Sequence, residues 1–515
     1  MDLLELSRLR LVFAAVVFLA FNLGCRSDPP STGLQKSASL AVDATAIPLP
    51  IKAFCGDCHA VPRPSEFPQD GWFNEVDRGF NFYYESGRSD LKPPPKKDVL
   101  AYYRSAAPVE LSLPVNDASL SERLRFVKQE VRLAGVAESA PAVAFLSWIH
   151  LDDPLLCMCD MRSGQYQELS IADRTSISVQ RLVDLRHPCH AEVTDLDGNG
   201  RADIVVADLG SFLPEDHDRG RVLWLPDGDT TNPSRTIELA TGLGRVADVR
   251  PGDFDADGDI DLVVAEFGWQ NTGRIVLLTN VSDDKATPKF ALSIIDQRHG
   301  SIHAPTIDFN RDGKLDFIAL IGQEHEKIDL FVNEGENRFR SECIYSAENP
   351  SFGSSGIEIV DLDGDGDEDV LYSNGDTLDS FYLKPYHAIH WIENQGSGSW
   401  IDHILTNMPG VMRALPSDLD GDGDLDVVAV ACVPENLAAK HRGVTLDSLI
   451  WLEQTSPGRF DRHVLEREDC EHAALEVADF DHDGDPDLAV GNFTQQPRVP
   501  LTIWWNETTP LALDE

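Results

Sequence analysis

The chain is poor in positive charge: 43 Lys and Arg stand against 87 Asp and Glu in 515 residues, a formal net charge of -44. Such a surface repels phosphate backbones and anionic headgroups, which excludes nucleic acid and electrostatic membrane docking as roles and makes cations the natural partners. Long apolar runs are also missing. The longest, Leu11 to Leu23, is 13 residues and too short to span a bilayer, and no stretch of 18 apolar residues follows it. Methionine is scarce, with five in the chain and none between residues 2 and 157. Neither GxSxG nor HExxH occurs, so a nucleophile elbow and the helical metalloprotease motif are both absent. Disorder is excluded as well, because 42% hydrophobic and 25% charged residues are ordinary for a globular chain.

What is present begins with an export-type leader. Arg8 and Arg10 precede the apolar run, which ends at Leu23-Gly24-Cys25 before a polar, Pro-rich stretch. This end resembles the cleavage site of bacterial lipoproteins, which implies a signal over residues 1–25, lipidation of Cys25 and a place in the cell envelope, periplasmic or at the surface. Asn22 departs from that pattern, and ordinary secretion is the alternative. Residues 26–47 read as a linker.

Cys55-Gly56-Asp57-Cys58-His59 has the CxxCH spacing of covalent haem attachment, in which two thiols bind the vinyl groups and the His ligates iron. His59 is the only His between residues 26 and 149, and Lys97 to Arg104 reads as a short helix. A zinc site would need two further ligands nearby and finds none, and a thioredoxin-like pair would need a βαβ context. The arrangement resembles a small α-helical c-type cytochrome domain over residues 48–109, implying covalent haem on Cys55, Cys58 and His59. Such domains usually supply a Met to the second axial position, which this segment lacks. Tyr83, Tyr84, Lys92 or a group from elsewhere would fill it, or the iron is five-coordinate. The six cysteines with no such neighbours, at 157, 159, 189, 343, 432 and 470, allow 15 complete pairings, and the sequence does not choose among them. Cys157 and Cys159 share one face of a strand-like run and read as small buried hydrophobes.

Six nine-residue acidic loops follow, starting 58, 55, 53, 57 and 61 residues apart. Oxygen side chains fall at positions 1, 3, 5 and 9. They are Asp195, Asp197, Asn199 and Asp203, then Asp253, Asp255, Asp257 and Asp261, then Asp308, Asn310, Asp312 and Asp316. The later three are Asp361, Asp363, Asp365 and Asp369, then Asp418, Asp420, Asp422 and Asp426, then Asp479, Asp481, Asp483 and Asp487. Position 6 is always Gly. Calcium takes six to eight hard oxygens at about 2.3 to 2.6 Å, and alternate residues of a tight loop aim oxygens at one point while Gly makes the turn. Up to six calcium ions are expected. The loop at Asp308, with Asn310 and basic Arg311 and Lys314, is the weakest. The loops begin like EF-hands, but each ninth residue runs into an apolar, β-branched segment such as IVVA or LVVA, which is a strand. These loops hold 27 of the 87 acidic residues, so the charge is partly a set of metal sites.

Between loops the same order recurs: strand, loop, strand, variable connection, aromatic strand, turn, strand. Loops and strand order resemble FG-GAP/VCBS repeats, the blades of integrin-like β-propellers, over residues 115–510. That implies an all-β fold with four strands per blade about a central channel. Trp224, Trp391, Trp451 and Trp505 mark third strands and read as core. The last copy ends after its third strand, so residues 125–134 are expected to close the ring, with 142–188 as a degenerate seventh blade. The resemblance places the connections opposite the calcium loops on one face, where His190, Arg245, His303, Arg413 and His472 precede or begin inner strands. With Glu324, His325, Asp376, Lys384, Tyr386 and His387 they make a candidate binding funnel, against the plain alternative of solvated polar loops. The leader, cytochrome-like segment and propeller together resemble exported proteins of environmental bacteria. Electron transfer coupled to substrate or partner binding on the propeller is the expected function. A non-catalytic adhesin-like or scaffolding propeller and a carbohydrate-acting lyase or hydrolase are the alternatives.

Overall fold

The computed structural model describes residues 47–114, 120–121, 123–133, 139–151, 153–227, 235–378, 380–441 and 443–508. The leader and Cys25 lie outside them. Among the described residues no helix is long and apolar enough to cross a membrane.

Each strand that follows an acidic loop is buried along its whole length, from Asp203–Asp208 through Asp487–Asn492. Both faces are covered by neighbouring blades, which is why these strands read as continuous apolar runs without alternation. Antiparallel pairing then builds seven sheets, six of them with their strands in sequence order from one edge to the other. Blade 1 spans residues 143–184, blade 2 188–243, blade 3 246–296, blade 4 301–346, blade 5 354–407 and blade 6 411–467. Blade 7 joins 472–506 to Phe126–Val131. The first strand of every blade touches the first strand of the next, and that of blade 7 touches blade 1, so the seven innermost strands close a ring.

The expected seven-bladed propeller is therefore the fold, and the degenerate copy is blade 1. Phe126–Val131 pairs antiparallel with Leu501–Asn506, from Phe126 opposite Asn506 to Val131 opposite Leu501. Trp505 Nε1 donates to Gln129 Oε1 at 2.6 Å across this seam. The strand removes an exposed edge that would otherwise invite pairing with another chain. The four third-strand tryptophans are buried, Trp451 completely. All cysteines among the described residues are free thiols, and Cys157 and Cys159 pack in an apolar cluster between blades 1 and 2.

Residues 47–114 form a small helical unit. Helix α1 is Leu49–Cys55, α2 Trp72–Glu85 and α3 Lys96–Ala106. Trp72, Val76 and Phe80 recur every four residues on α2 and meet Val99 and Tyr103 of α3. Trp72 stacks on Tyr103 at 4.0 Å.

Deleting residues 1–133 leaves Leu501–Asn506 as an unpaired edge. The truncated chain is expected to melt at a lower temperature and to self-associate, which thermal unfolding combined with light scattering reads directly.

Candidate functional site

The acidic loops are built alike. The first Asp accepts the amides of positions 5 and 6: Asp253 takes Asp257 N at 3.1 Å and Gly258 N at 3.0 Å, and Asp479 takes Asp483 N and Gly484 N at 3.0 Å. The loop at Asp418 differs, taking Gly421 N and Gly423 N. Position 6 has φ between +82° and +103°, which Gly reaches without steric cost. Position 4 is also left-handed in every loop, and Ala256, Arg311 and His482 bear that conformation without Gly.

The ninth carboxylate is buried, and both its oxygens are engaged. In the second loop of the chain Asp261 accepts Phe254 N at 3.1 Å and Asn280 N, from the end of the third strand, at 2.7 Å. Asp426 does the same with Leu419 N and Gln454 N, and Asp487 with Phe480 N and Asn506 N. Burial pushes these carboxyls up, Asp261 and Asp369 to about 6, Asp426 and Asp487 to about 7.

A cation fits this arrangement. In the loops at Asp195, Asp253 and Asp361 one carboxylate oxygen each from positions 1, 3 and 9 lie within 4.8 Å of one another. The position 3 residues Asp255, Asp420 and Asp481 each keep one buried oxygen that no donor of the protein satisfies. Leaving such an oxygen buried and unpaired is costly, and a hard cation offsets that cost. Basic side chains of the protein compete for several loops: Lys285 pairs with Asp259, and Arg123 stands 3.9 Å from Asp420. Lys314 Nζ bonds Asp312 at 2.6 Å inside the loop at Asp308. Arg174 of blade 1 reaches Asp481 at 2.5 Å and Asp483 at 3.2 Å, an approach that the loop's own sequence does not reveal.

The candidate funnel residues do not meet at one point. His190, His303 and Arg413 do approach each other along the axis, around groups that the sequence reading passed over. His190 Nε2 lies 3.0 Å from Asp248 and 2.8 Å from Glu192, Arg250 bonds Asp248 at 2.9 Å and Glu192 at 2.6 Å, and Arg413 pairs with Glu358. His303 Nδ1 stands 3.9 Å from Asp248, and Ala304 N donates to Asp248 at 2.8 Å. Against the cost of burial, Arg250 and His190 hold the Asp248 carboxyl well below its usual range. Burial and the Arg413 charge push His303 down to about 3. Charged residues at alternate positions of otherwise apolar inner strands were the available signal. A cavity of about 250 Å³ opens beside this axis, lined by Ser147, His150 and Glu192 among others, where blade 1 carries no acidic loop.

The remaining candidates are dispersed. Glu324 and His325 meet His299. His472 bonds Glu466 at 2.8 Å and Asn492 at 3.0 Å, and the Arg245 guanidinium lies 5.4 Å over the Phe267 ring. The Asp376 carboxylate accepts Leu378 N at 2.7 Å, and Tyr386 donates to the Ser351 carbonyl at 3.0 Å. His387 is fully buried, with its pKa pushed down to about 3 by burial, and Lys384 is 1% exposed. His387 is enclosed by the propeller itself, where Gly410 N donates to its Nδ1 at 3.3 Å, whereas Lys384 is covered by the helical unit, which docks here. Lys384 Nζ donates to the Glu66 carbonyl at 2.9 Å and sits 3.5 Å over the Phe67 ring, while Tyr382 packs edge-on against Phe67 at 5.7 Å. Arg63 pairs with Glu348. Burial pushes the Glu66 carboxyl up and the Lys384 ammonium down.

In the helical unit, Cys55 ends α1 and is half buried, Cys58 is exposed, and burial raises the Cys55 thiol. Arg88 bonds Asp57 at 2.6 Å and Cys58 Sγ at 3.1 Å, tying the motif to the α2–α3 connection. His59 Nδ1 lies 2.7 Å from the Ala60 carbonyl oxygen. That contact requires a proton on Nδ1 and leaves the Nε2 lone pair for a metal. Phe54 packs beside the motif against Phe80 at 5.0 Å and Tyr83 at 5.1 Å. The hydroxyl of Tyr83 donates to the Leu91 carbonyl at 2.9 Å, whereas Tyr84 and Lys92 are exposed.

The FG-GAP-like repeat model matches residues 195–264 and 308–372, which contain the acidic loops of blades 2 to 5. No curated protein matches the chain. The chain carries FG-GAP-like repeats in a seven-bladed, integrin-like ring.

Because Asp426 and Asp487 titrate near 7 when folded and near 4 when unfolded, the metal-free fold is most favoured by them below about pH 4 and loses that contribution as pH rises to about 7. Thermal unfolding in excess chelator is expected to show a melting temperature that falls from pH 5 to pH 7.5.

Proposed function

We propose that the chain is an exported, calcium-stiffened propeller that carries a covalent haem on its helical unit and exchanges electrons with a substrate or partner held on the propeller. The observation that carries this reading is the arrangement at the end of α1, where Cys55 and Cys58 precede a His59 whose Nδ1 meets a carbonyl and whose Nε2 is left to ligate. Cysteine pairs of this spacing with the adjacent His are the attachment chemistry of c-type haem. Bound there, haem supplies one-electron chemistry. The chain's own residues hold the site in place. Arg88 fixes the motif loop, the aromatic row from Phe54 to Tyr83 offers apolar surface beside it, and Lys384 with Tyr382 clamps the unit to blade 5. The leader over residues 1–25 supports export, which haem attachment of this kind requires, and Cys25 supports a lipid anchor.

A second reading is a non-catalytic adhesin-like or scaffolding propeller. It is favoured by the axis, where His190, Arg250 and Arg413 are engaged by Asp248, Glu192 and Glu358.

Expression of the full chain with a haem-maturation system separates the two. Close to one haem per chain, retained through denaturation and lost in the Cys55→Ser/Cys58→Ser variant, is the expected result, with a reduced-minus-oxidised spectrum altered by His59→Ala. A full chain that folds, emerges without covalent haem and still captures its partner leaves only the scaffolding reading.

A further inference from the structure

We propose that His299, Glu324 and His325 form a binding site for a divalent transition metal of the zinc class, distinct from the acidic loops. The residues come from two connections of the face opposite those loops. His299 lies on the approach to the innermost strand of blade 4, and Glu324 with His325 occupies the turn between that blade's strands Asp316–Ile321 and Lys327–Gly335. His299 Nε2 lies 2.9 Å from Glu324 Oε1, the two imidazoles stand 5.2 Å apart, and one ligand atom from each of the three falls within 4.8 Å of the others.

The backbone builds this cluster rather than leaving it to chance rotamers. Gly300, at φ +88°, donates its amide to the Phe267 carbonyl at 2.8 Å and accepts Gly322 N at 2.8 Å, which joins the two connections directly behind the side chains. His325 N returns to the Gly322 carbonyl at 3.3 Å, and Glu326, with φ +44°, anchors the far end of the turn by accepting Gly353 N at 3.0 Å. Gly273 leaves the space into which the His299 side chain packs: a Cβ there would stand 2.6 Å from the His299 Cβ.

The donor set selects the metal. Two imidazoles and one carboxylate suit zinc and its neighbours and disfavour calcium, which takes oxygen ligands. Tetrahedral zinc with ligands at about 2.0 to 2.2 Å sets donors about 3.3 Å apart, so the His299 to Glu324 contact needs to open by only a few tenths of an ångström. The nearest guanidinium does not compete, because Arg298 is held by Asp296 and Asp329 at 2.7 Å each. The contrast is the cluster of Glu466, Asp469 and His472, whose carboxylates are already neutralised by Lys128 and Arg498. The Glu324 side chain is 35% exposed and that of His299 19%, so a fourth position faces solvent. A bound ion there keeps a water or an external ligand.

The test uses the full, calcium-loaded chain dialysed against micromolar zinc in excess calcium, with metal content measured by elemental analysis and the zinc shell by X-ray absorption. The expected result is about one zinc per chain in a nitrogen and oxygen shell without sulfur, which separates this site from the Cys55 and Cys58 thiols. His325→Ala and the near-isosteric Glu324→Gln should each weaken zinc binding at least tenfold while calcium content and circular dichroism stay unchanged, and His472→Ala should leave zinc binding as it was. No zinc retained, a sulfur-containing shell alone, or zinc retained equally by both site variants would overturn the proposal.

Discussion

The structure depends on six buried carboxylates. The Asp that ends each acidic loop accepts one amide from the start of its own loop and one from the end of the third strand, so acidic loop and blade are a single mechanical unit. Burying that charge is unfavourable by itself, as the upward shift of Asp426 and Asp487 records. A hard cation held in the loop would reverse the balance. The unsatisfied oxygens of Asp255, Asp420 and Asp481 lie in the same loops, and the same ion would relieve them.

A second set of charges holds the ring at its axis. Arg250 ties blade 2 to blade 3 through Glu192, Asp248 reaches blade 4 through Ala304 N, and Arg413 joins blade 6 to blade 5 through Glu358. Removing one partner from such buried networks costs on the order of 3–5 kcal/mol, since the other is left uncompensated. The two faces of the ring are thereby separated in character. One presents the acidic loops. The other carries the helical unit on blade 5 and the histidine cluster on blade 4.

Much of this was legible in the sequence because repetition multiplies a weak local signal. One DxDxDG is a turn, whereas six at near-constant spacing fixed the blades, and the missing fourth strand of the last copy pointed to residues near 125. Position 6 was readable because Gly marks it. The left-handed position 4 was not, since Ala256, Arg311 and His482 mask the requirement. Pairings between blades were equally hidden: nothing near Asp481 in the chain foretells Arg174, and nothing near Lys384 foretells Glu66. The funnel residues share blade positions, yet a shared position sets only the height along the axis. Neighbouring side chains then decide whether a His such as His190 points to solvent or is consumed by Asp248.

The number of calcium ions held by the folded chain at pH 7, counted by equilibrium dialysis and elemental analysis, tests the central claim most directly. One ion for each of the six loops is predicted, with the loop at Asp308 filling last because Lys314 already occupies Asp312. A chain that is fully folded in calcium and retains none would contradict it.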